Sequence, residues 1–383
     1  MRLEKFVQYF NIKVFIYFLI AVTAVYTLVF TYIYNFKDDG YILADWLINY
    51  QDGGFKRRGL SGSFFFILQD FTGLRLNYIV YFFQFLIISG FFLLYTRLIR
   101  YKITDLLYLS LLLSSIGFVG LLNTVTYVGK KEFIIFLLFT WFIYLLDNDK
   151  LSKNKEYIFC ILLFITALLH EVVLFYVPYF AIALYLKTGK IEIKRYIKYF
   201  LAVIIPSILI LKFGKNVNEG MSLQILAQRG VHPTYGIFYW NINERDYIKQ
   251  HSHEYLLYFI SLAFSVFHIA YYMKCLKGQK IILSILLIAA FLFSFPLFYL
   301  AIDWGRWMYI HMMLIIVLFA LLLKKGSTGY AFEAIVINKK FYITLFIIVF
   351  SLIYRVEMSG KGFTFEGIIY RVFVAPLELL HKM

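Results

Sequence analysis

Lys56-Arg57-Arg58 stand behind Gly53-Gly54 in "NYQDGGFKRRGLSG", three adjacent cations in a chain that is close to hydrocarbon on either side. Guanidinium groups grip phosphate through a bidentate fork. A Gly-Gly turn with exposed backbone N–H groups beside them suits the same anion. Further along, "VGKKEF" puts Lys130, Lys131 and Glu132 at a helix entrance, and "LLHEVVLFYVP" puts His170-Glu171 inside an apolar run. "AIDWGRW" sets Asp303 and Arg306 three residues apart, on one helical face. Such a set can neutralise a phosphate or pyrophosphate and take a proton from a hydroxyl. Each motif also has a plainer use. Lys130-Lys131 can snorkel to headgroups, Asp38-Asp39 can cap a helix, and Asp303 with Arg306 can form a structural ion pair. The histidines of residues 214–253 lack metal-ligand spacing, and His232-Pro233 reads as a turn. His268 and His311 stand alone in apolar spans and read as satisfied core groups.

Elements that could position these residues follow from composition. The chain has 383 residues, of which 62% are hydrophobic and 21% aromatic, with a mean hydropathy of +0.76. Soluble domains average roughly 45–50% apolar residues, so the excess needs lipid as solvent. The expected fold class is an all-α polytopic helical membrane protein. Five prolines, no Ser/Gly/Pro-rich linker and no internal repeat suggest a single integral membrane domain over residues 1–383. The net charge of +16 then reads as Lys and Arg gathered in cytoplasmic loops and beside anionic lipid, with no nucleic-acid partner. Cys160 and Cys275 sit in or at apolar segments and suggest neither a metal site nor a disulfide framework. No phosphate-binding G-x-x-x-x-G-K-[ST] loop or dinucleotide fingerprint is present, so ATP hydrolysis and hydride transfer are unsupported.

Spans of about 20 apolar residues fall near 13–34, 77–96, 104–122, 132–146, 197–213, 255–273, 281–300, 307–323 and 341–354. The basic start and long first run read as a retained first helix rather than a cleaved signal. Residues 60–72 are too few to cross and read as a juxtamembrane helix. The run 157–186 is too long for one helix and has basic flanks at both ends. It therefore reads as a broken, re-entrant pair that turns at His170-Glu171, for about eleven membrane segments in all. More than half of the 38 basic residues collect on one side when the N-terminus is cytoplasmic, which sets the orientation. Residues 35–61 become the first periplasmic loop and 214–253 a long one. Lys56-Arg57-Arg58 then lie outside, against the positive-inside trend. Lys130-Lys131, His170-Glu171 and Asp303/Arg306 fall on the same face, as one site.

A cation-rich site at a membrane face matches a polyprenyl phosphate or pyrophosphate, whose headgroup is anionic and whose tail stays in lipid. "GGFKRRGL", "VGKKEF", "LLHEVVLFYVP" and "DWGRW" resemble, in order, the marks of multi-pass O-antigen and capsule biosynthesis proteins, either Wzy-type polymerases or relatives of the GT-C glycosyltransferases. The GT-C likeness rests on an acidic first outer loop, here Asp38-Asp39, followed by a juxtamembrane helix. The resemblance implies a glycosyltransferase or polymerase acting on undecaprenyl-linked glycans at the periplasmic face of the bacterial inner membrane, beside other polysaccharide-assembly proteins. Under this reading Arg57, Arg58 and Arg306 hold the (pyro)phosphate with Lys130 or Lys131, and Asp303 lines the same site. Glu171, positioned by His170, or else Asp39, is the base. No cofactor is expected. Asp38 and Asp39 are neighbours rather than an Asp-x-Asp pair, and are the only place the pattern leaves for a divalent cation. A transporter or flippase of the same lipid-linked glycan would use the cations without a base, and a membrane O-acyltransferase would use His170 as the base.

Overall fold

A computed structural model describes residues 11–37, 40–239, 243–276, 280–326, 337–357 and 363–374. Apart from one two-stranded hairpin pairing Arg355–Val356 with Phe363–Thr364, its regular elements are helices. In chain order they are α1 (Ile12–Phe36), α2 (Tyr41–Trp46), α3 (Gly59–Thr72), α4 (Leu76–Ile99), α5 (Leu106–Leu112), α6 (Phe118–Asn123), α7 (Glu132–Asp147), α8 (Lys153–Leu169), α9 (Val173–Tyr176), α10 (Pro178–Thr188), α11 (Ile193–Phe213), α12 (Glu219–Gln228), α13 (Glu244–Gln250), α14 (Tyr255–Cys275), α15 (Lys280–Leu300), α16 (Trp304–Phe319) and α17 (Lys339–Ile353).

Among the described residues, six helices are long and apolar enough to cross a membrane: α1, α4, α11, α14, α15, and α16 with the 3₁₀ turn that extends it to Leu322. The 25 residues of α1 reach about 37 Å at 1.5 Å per residue, beyond the roughly 30 Å of a hydrocarbon core. Large apolar side chains point outward along these helices. Examples are Val14, Phe18 and Val25 on α1, Ile205, Ile208 and Leu211 on α11, and Ile285, Ile288 and Leu292 on α15. In water these would be extended apolar patches; in lipid they are the solvent-facing side. The protein is a helical membrane protein.

Three expected spans fall short of a crossing, one because it breaks and two because they are brief. Residues 104–122 form two short helices, α5 and α6, because the chain turns at Ser114–Gly117, where the Gly117 N–H donates to the Ser114 carbonyl. Serine and glycine together are a common cause of such breaks. The 16 residues of α7 and the 15 of α17 rise only about 24 and 22 Å. Residues 59–72 form the expected short helix, α3. The long run does break at His170: α8 stops at Leu169 and His170 is extended. Its two ends come back together, since Lys187 pairs with Asp149 at 2.7 Å and Arg195 Nη2 donates to Glu156 Oε1 at 2.8 Å.

The chain divides into two compact units, one of residues 1–26, 95–127 and 243–383, the other of residues 27–94 and 128–242. In the first, α16 is the core: Gly305 through Phe319 are all buried. Each lone histidine meets a serine there, His311 Nε2 at 2.7 Å from Ser294 Oγ and His268 Nε2 at 2.5 Å from Ser351 Oγ, while His268 Nδ1 is buried without a hydrogen-bond partner among the described residues. In the second, α8 and α11 pack side by side, and the Asn35 amide donates to Gln84 Oε1 at 2.5 Å between α1 and α4. Such polar pairs join helices where apolar burial gives no preference over lipid.

Candidate functional site

The Gly-Gly stretch folds by local hydrogen bonds. Asn49 Oδ1 accepts from the Gln51 and Asp52 N–H groups at 3.0 and 3.2 Å, an Asx turn. Gly53 and Gly54 follow at φ 129° and 108°, values that exclude other residues at little cost. The Gly54 N–H donates to the Tyr50 carbonyl at 2.8 Å. It closes the turn, so the expected backbone cradle for phosphate loses this donor.

The three cations then part. Lys56 is fully buried and paired with Asp52, whose second oxygen accepts from Ser222 Oγ on α12. That buried group ties the loop to α12. Arg58 takes a left-handed backbone, φ 61° and ψ 1°, at the N-cap of α3, a conformation that costs a non-glycine residue about 1 kcal/mol or more. Its guanidinium forks onto Glu171, Nη2 to Oε1 at 2.9 Å and Nε to Oε2 at 3.1 Å, and Nη1 reaches Asp45 Oδ1 at 3.3 Å. Arg57 is 58% exposed, with Glu171 Oε1 at 3.8 Å.

The VGKKE motif closes around the same point. Gly129 turns left-handed at φ 66°, and its carbonyl accepts from Trp46 Nε1 at 2.8 Å and Gln84 Nε2 at 2.9 Å. This fixes the entrance of α7. Lys130 Nζ lies 4.1 Å from the Tyr41 ring centre, a cation–π contact, and Lys131 Nζ donates to Ser61 Oγ at 3.0 Å. Glu132 Oε1 accepts from His170 Nε2 at 3.2 Å, and His170 Nδ1 is 3.8 Å from Glu171 Oε2.

Four cations (Arg57, Arg58, Lys130, Lys131) therefore meet three carboxylates (Asp45, Glu132, Glu171) and His170 within one unit. Most are buried; Arg57 and Glu171 form the accessible lip. Burial alone would raise the Asp45 carboxyl, but Lys131, Arg58, Lys130 and His170 hold it well below the carboxylate range. Burial works against Glu171 too, and Arg58 and then His170 hold it down. Burial pushes the Lys131 ammonium down to about 8, against Asp45, with Arg58 adding to the drop.

Of the residues expected at one site, Arg57, Arg58, Lys130, Lys131, His170 and Glu171 come together. Asp303 and Arg306 belong to the other unit, where they pair with each other at 3.1 Å at the start of α16. Asp38 and Asp39 lie outside the described residues. The sequence reading gives no role to Asp45 or to Glu132, which it places beside the two lysines, and does not single out Ser61. Asp45 carried the signal that flagged His170-Glu171, an ionisable residue inside an apolar run, here "YILADWLI". Among the described residues no group of three His, Cys, Asp or Glu side chains is arranged to hold a metal ion. Compared with known families, curated proteins and solved structures, this chain matches none.

Proposed function

We propose that the cluster binds the phosphate or pyrophosphate of a lipid-linked glycan, and that the protein is a glycosyltransferase of surface-polysaccharide assembly, with polymerisation of repeat units its most specific form. One observation carries the reading: a buried, cation-rich cluster built from three sequence-distant segments, with an exposed arginine at its lip. Buried charges at a membrane protein's interior are costly and mark substrate pathways. The excess of positive charge favours an anion. The broader frame belongs to the same proposal: about eleven membrane segments, a GT-C-like arrangement, a cytoplasmic N-terminus and a periplasmic site in a bacterial inner membrane.

In the resting state Glu171 is a weak base because Arg58 holds it. An arriving phosphate competes for Arg57 and Arg58 and frees the carboxylate beside His170. Glu171 then takes the proton of the acceptor hydroxyl. The hydroxyl oxygen bonds to the anomeric carbon, and the bond from that carbon to the pyrophosphate oxygen breaks, the pyrophosphate leaving with the electron pair. Native mass spectrometry of the full chain with undecaprenyl phosphate tests the binding step. Arg57→Gln and Arg58→Lys each weaken it at least tenfold, the latter because an ammonium lacks the fork. Parent-like binding by both variants sinks the proposal. Loss of binding with an unchanged polysaccharide ladder on gels after gene deletion leaves binding and removes the polymerase.

A further inference from the structure

The end of α8 away from His170 is joined to the start of α11 by one buried carboxylate. Arg195 Nε and Nη2 donate to Glu156 Oε1 at 3.0 and 2.8 Å, Tyr199 Oη donates to Oε2 at 3.0 Å, and Lys198 pairs with the same oxygen. Glu156 is buried, so the first turns of the two helices are locked side by side. Lys198 Nζ also stands 5.6 Å from the centre of the Tyr157 ring, which brings one edge of α8 to one edge of α11. Lys153 lies one turn before Tyr157, and Lys194 one turn before Lys198. Both lysines are exposed, and neither enters an ion pair or a side-chain hydrogen bond among the described residues. Each stands in the first turn of its helix, where the backbone dipole already presents positive charge. About one turn further on, the same two edges carry Ile161 and Leu201, 60% and 47% exposed.

We propose that the groove between the first turns of α8 and α11 is a binding site for an anionic phospholipid, its phosphate across Lys153 and Lys194 and its acyl chains along Ile161 and Leu201. Basic residues at the end of a span often mark only the side of the membrane. Here Glu156 fixes the frame, two lysines are left without a carboxylate, and apolar side chains begin just below them. Charge and hydrocarbon therefore follow each other in the order they have in a phospholipid. Basic clefts between membrane helices suit acidic headgroups in this way. An acidic peptide or a nucleic acid would meet the lysines but leave the apolar column unused. A zwitterionic headgroup would leave the two cations uncompensated. The groove is separate from the cluster around Glu171: α8 runs 17 residues from Lys153 to Leu169, about 25 Å at 1.5 Å per residue, so the two lie at opposite ends of it.

Native mass spectrometry of the full chain in detergent tests it, with phosphatidylglycerol and phosphatidylcholine of identical acyl chains as probes. Phosphatidylglycerol stays bound at collision energies that strip phosphatidylcholine. Lys153→Gln combined with Lys194→Gln weakens phosphatidylglycerol binding at least tenfold, since each lysine beside an anionic headgroup is worth about a factor of five, and leaves phosphatidylcholine binding as it was. Lys339→Gln combined with Lys340→Gln removes the same charge from the first unit and changes neither lipid. Excess glycerol 3-phosphate does not displace phosphatidylglycerol, because the acyl chains contribute. Arg58→Lys leaves phosphatidylglycerol binding unchanged while weakening that of undecaprenyl phosphate, so the two sites can fail separately. Equal retention of the two lipids, parent-like retention by the Lys153/Lys194 variant, an equal loss in the Lys339/Lys340 variant, or displacement by glycerol 3-phosphate overturns the inference.

Discussion

Lys56, Arg57 and Arg58 carry the same charge and end in three environments: a buried pair with Asp52, an exposed lip, and a fork across Glu171 and Asp45. Each predicts a different outcome. Arg58 holds its left-handed backbone for the sake of its side chain, so Arg58→Gly and Arg58→Ala both lose the fork but only glycine relieves the strain. The glycine variant is more stable than the alanine variant by about 1 kcal/mol, read as the difference in thermal unfolding in detergent. Under the proposed function, Glu171→Gln lowers glycan extension by roughly 10²–10⁴ in rate, while the folded amount stays within twofold. Retained activity per folded molecule moves the base elsewhere. The pH dependence has two signs. Asp45 and Glu171 titrate below their ordinary range in the folded state. Their contribution is complete above roughly pH 4–4.5 and is lost as pH falls through the folded values. Lys131 is shifted from 10.5 down to about 8. Across that window the unfolded chain keeps a proton that the folded chain has released, so stability rises with pH. The parent gains on Lys131→Met by an amount on the order of 3 kcal/mol from pH 8 to 10.5; a flat difference means Lys131 titrates normally.

At the scale of elements, close approaches decide what can be exchanged. A Cβ on Gly62 of α3 would lie 2.3 Å from the Ile48 carbonyl oxygen and 2.5 Å from that of Leu47, while the Gly62 N–H donates to Ile48 O at 3.0 Å. The start of α3 rests on the backbone after α2, and this contact brings Ser61 to Lys131 and Arg58 to Asp45. Gly62→Ala therefore costs roughly 1–3 kcal/mol and lowers anion binding with it, despite alanine's better helix propensity. Gly220 in α12 has only the Asn218 side chain nearby, at 4.0 Å, so Gly220→Ala stabilises by up to about 1 kcal/mol. Unfolding temperatures by size-exclusion chromatography read both. A neutral Gly62→Ala would mean that α3 shifts without consequence. Arg229 secures the other end of α3, with Nη1 and Nη2 on the Asp70 carboxylate at 2.7 and 3.1 Å. That is a packing role.

Across the whole molecule, the outward apolar faces of α1, α11 and α15 need lipid, and the basic flanks need one aqueous side. The ends of the run 157–186 meet through Lys187–Asp149 and Arg195–Glu156, as an out-and-back path requires. With Cys160 and Cys275 replaced by alanine, a cysteine at the exposed Gln51 of the same loop is expected to react with an impermeant thiol reagent added to intact cells, and one at Lys190 only after lysis. The reverse pattern inverts the orientation and moves the cation cluster to the cytoplasm.

Composition by itself determined that the chain is a helical membrane protein, because an excess of apolar residues has no other solvent. Local pattern determined the Gly-Gly turn, the short helix α3, the break at His170 and the six long helices, since each depends on neighbours within a few residues. Tertiary structure alone decided which charges meet. Lys56 and Arg58 are two residues apart, yet one is neutralised by Asp52 at i−4 and the other by Glu171, 113 residues away. Asp303 and Arg306 were grouped with that cluster because they shared a predicted face, but a face of a membrane is wide, and packing assigned them to the other unit. Asp45 and Glu132 joined the cluster because buried cations must be compensated, a demand no local spacing expresses.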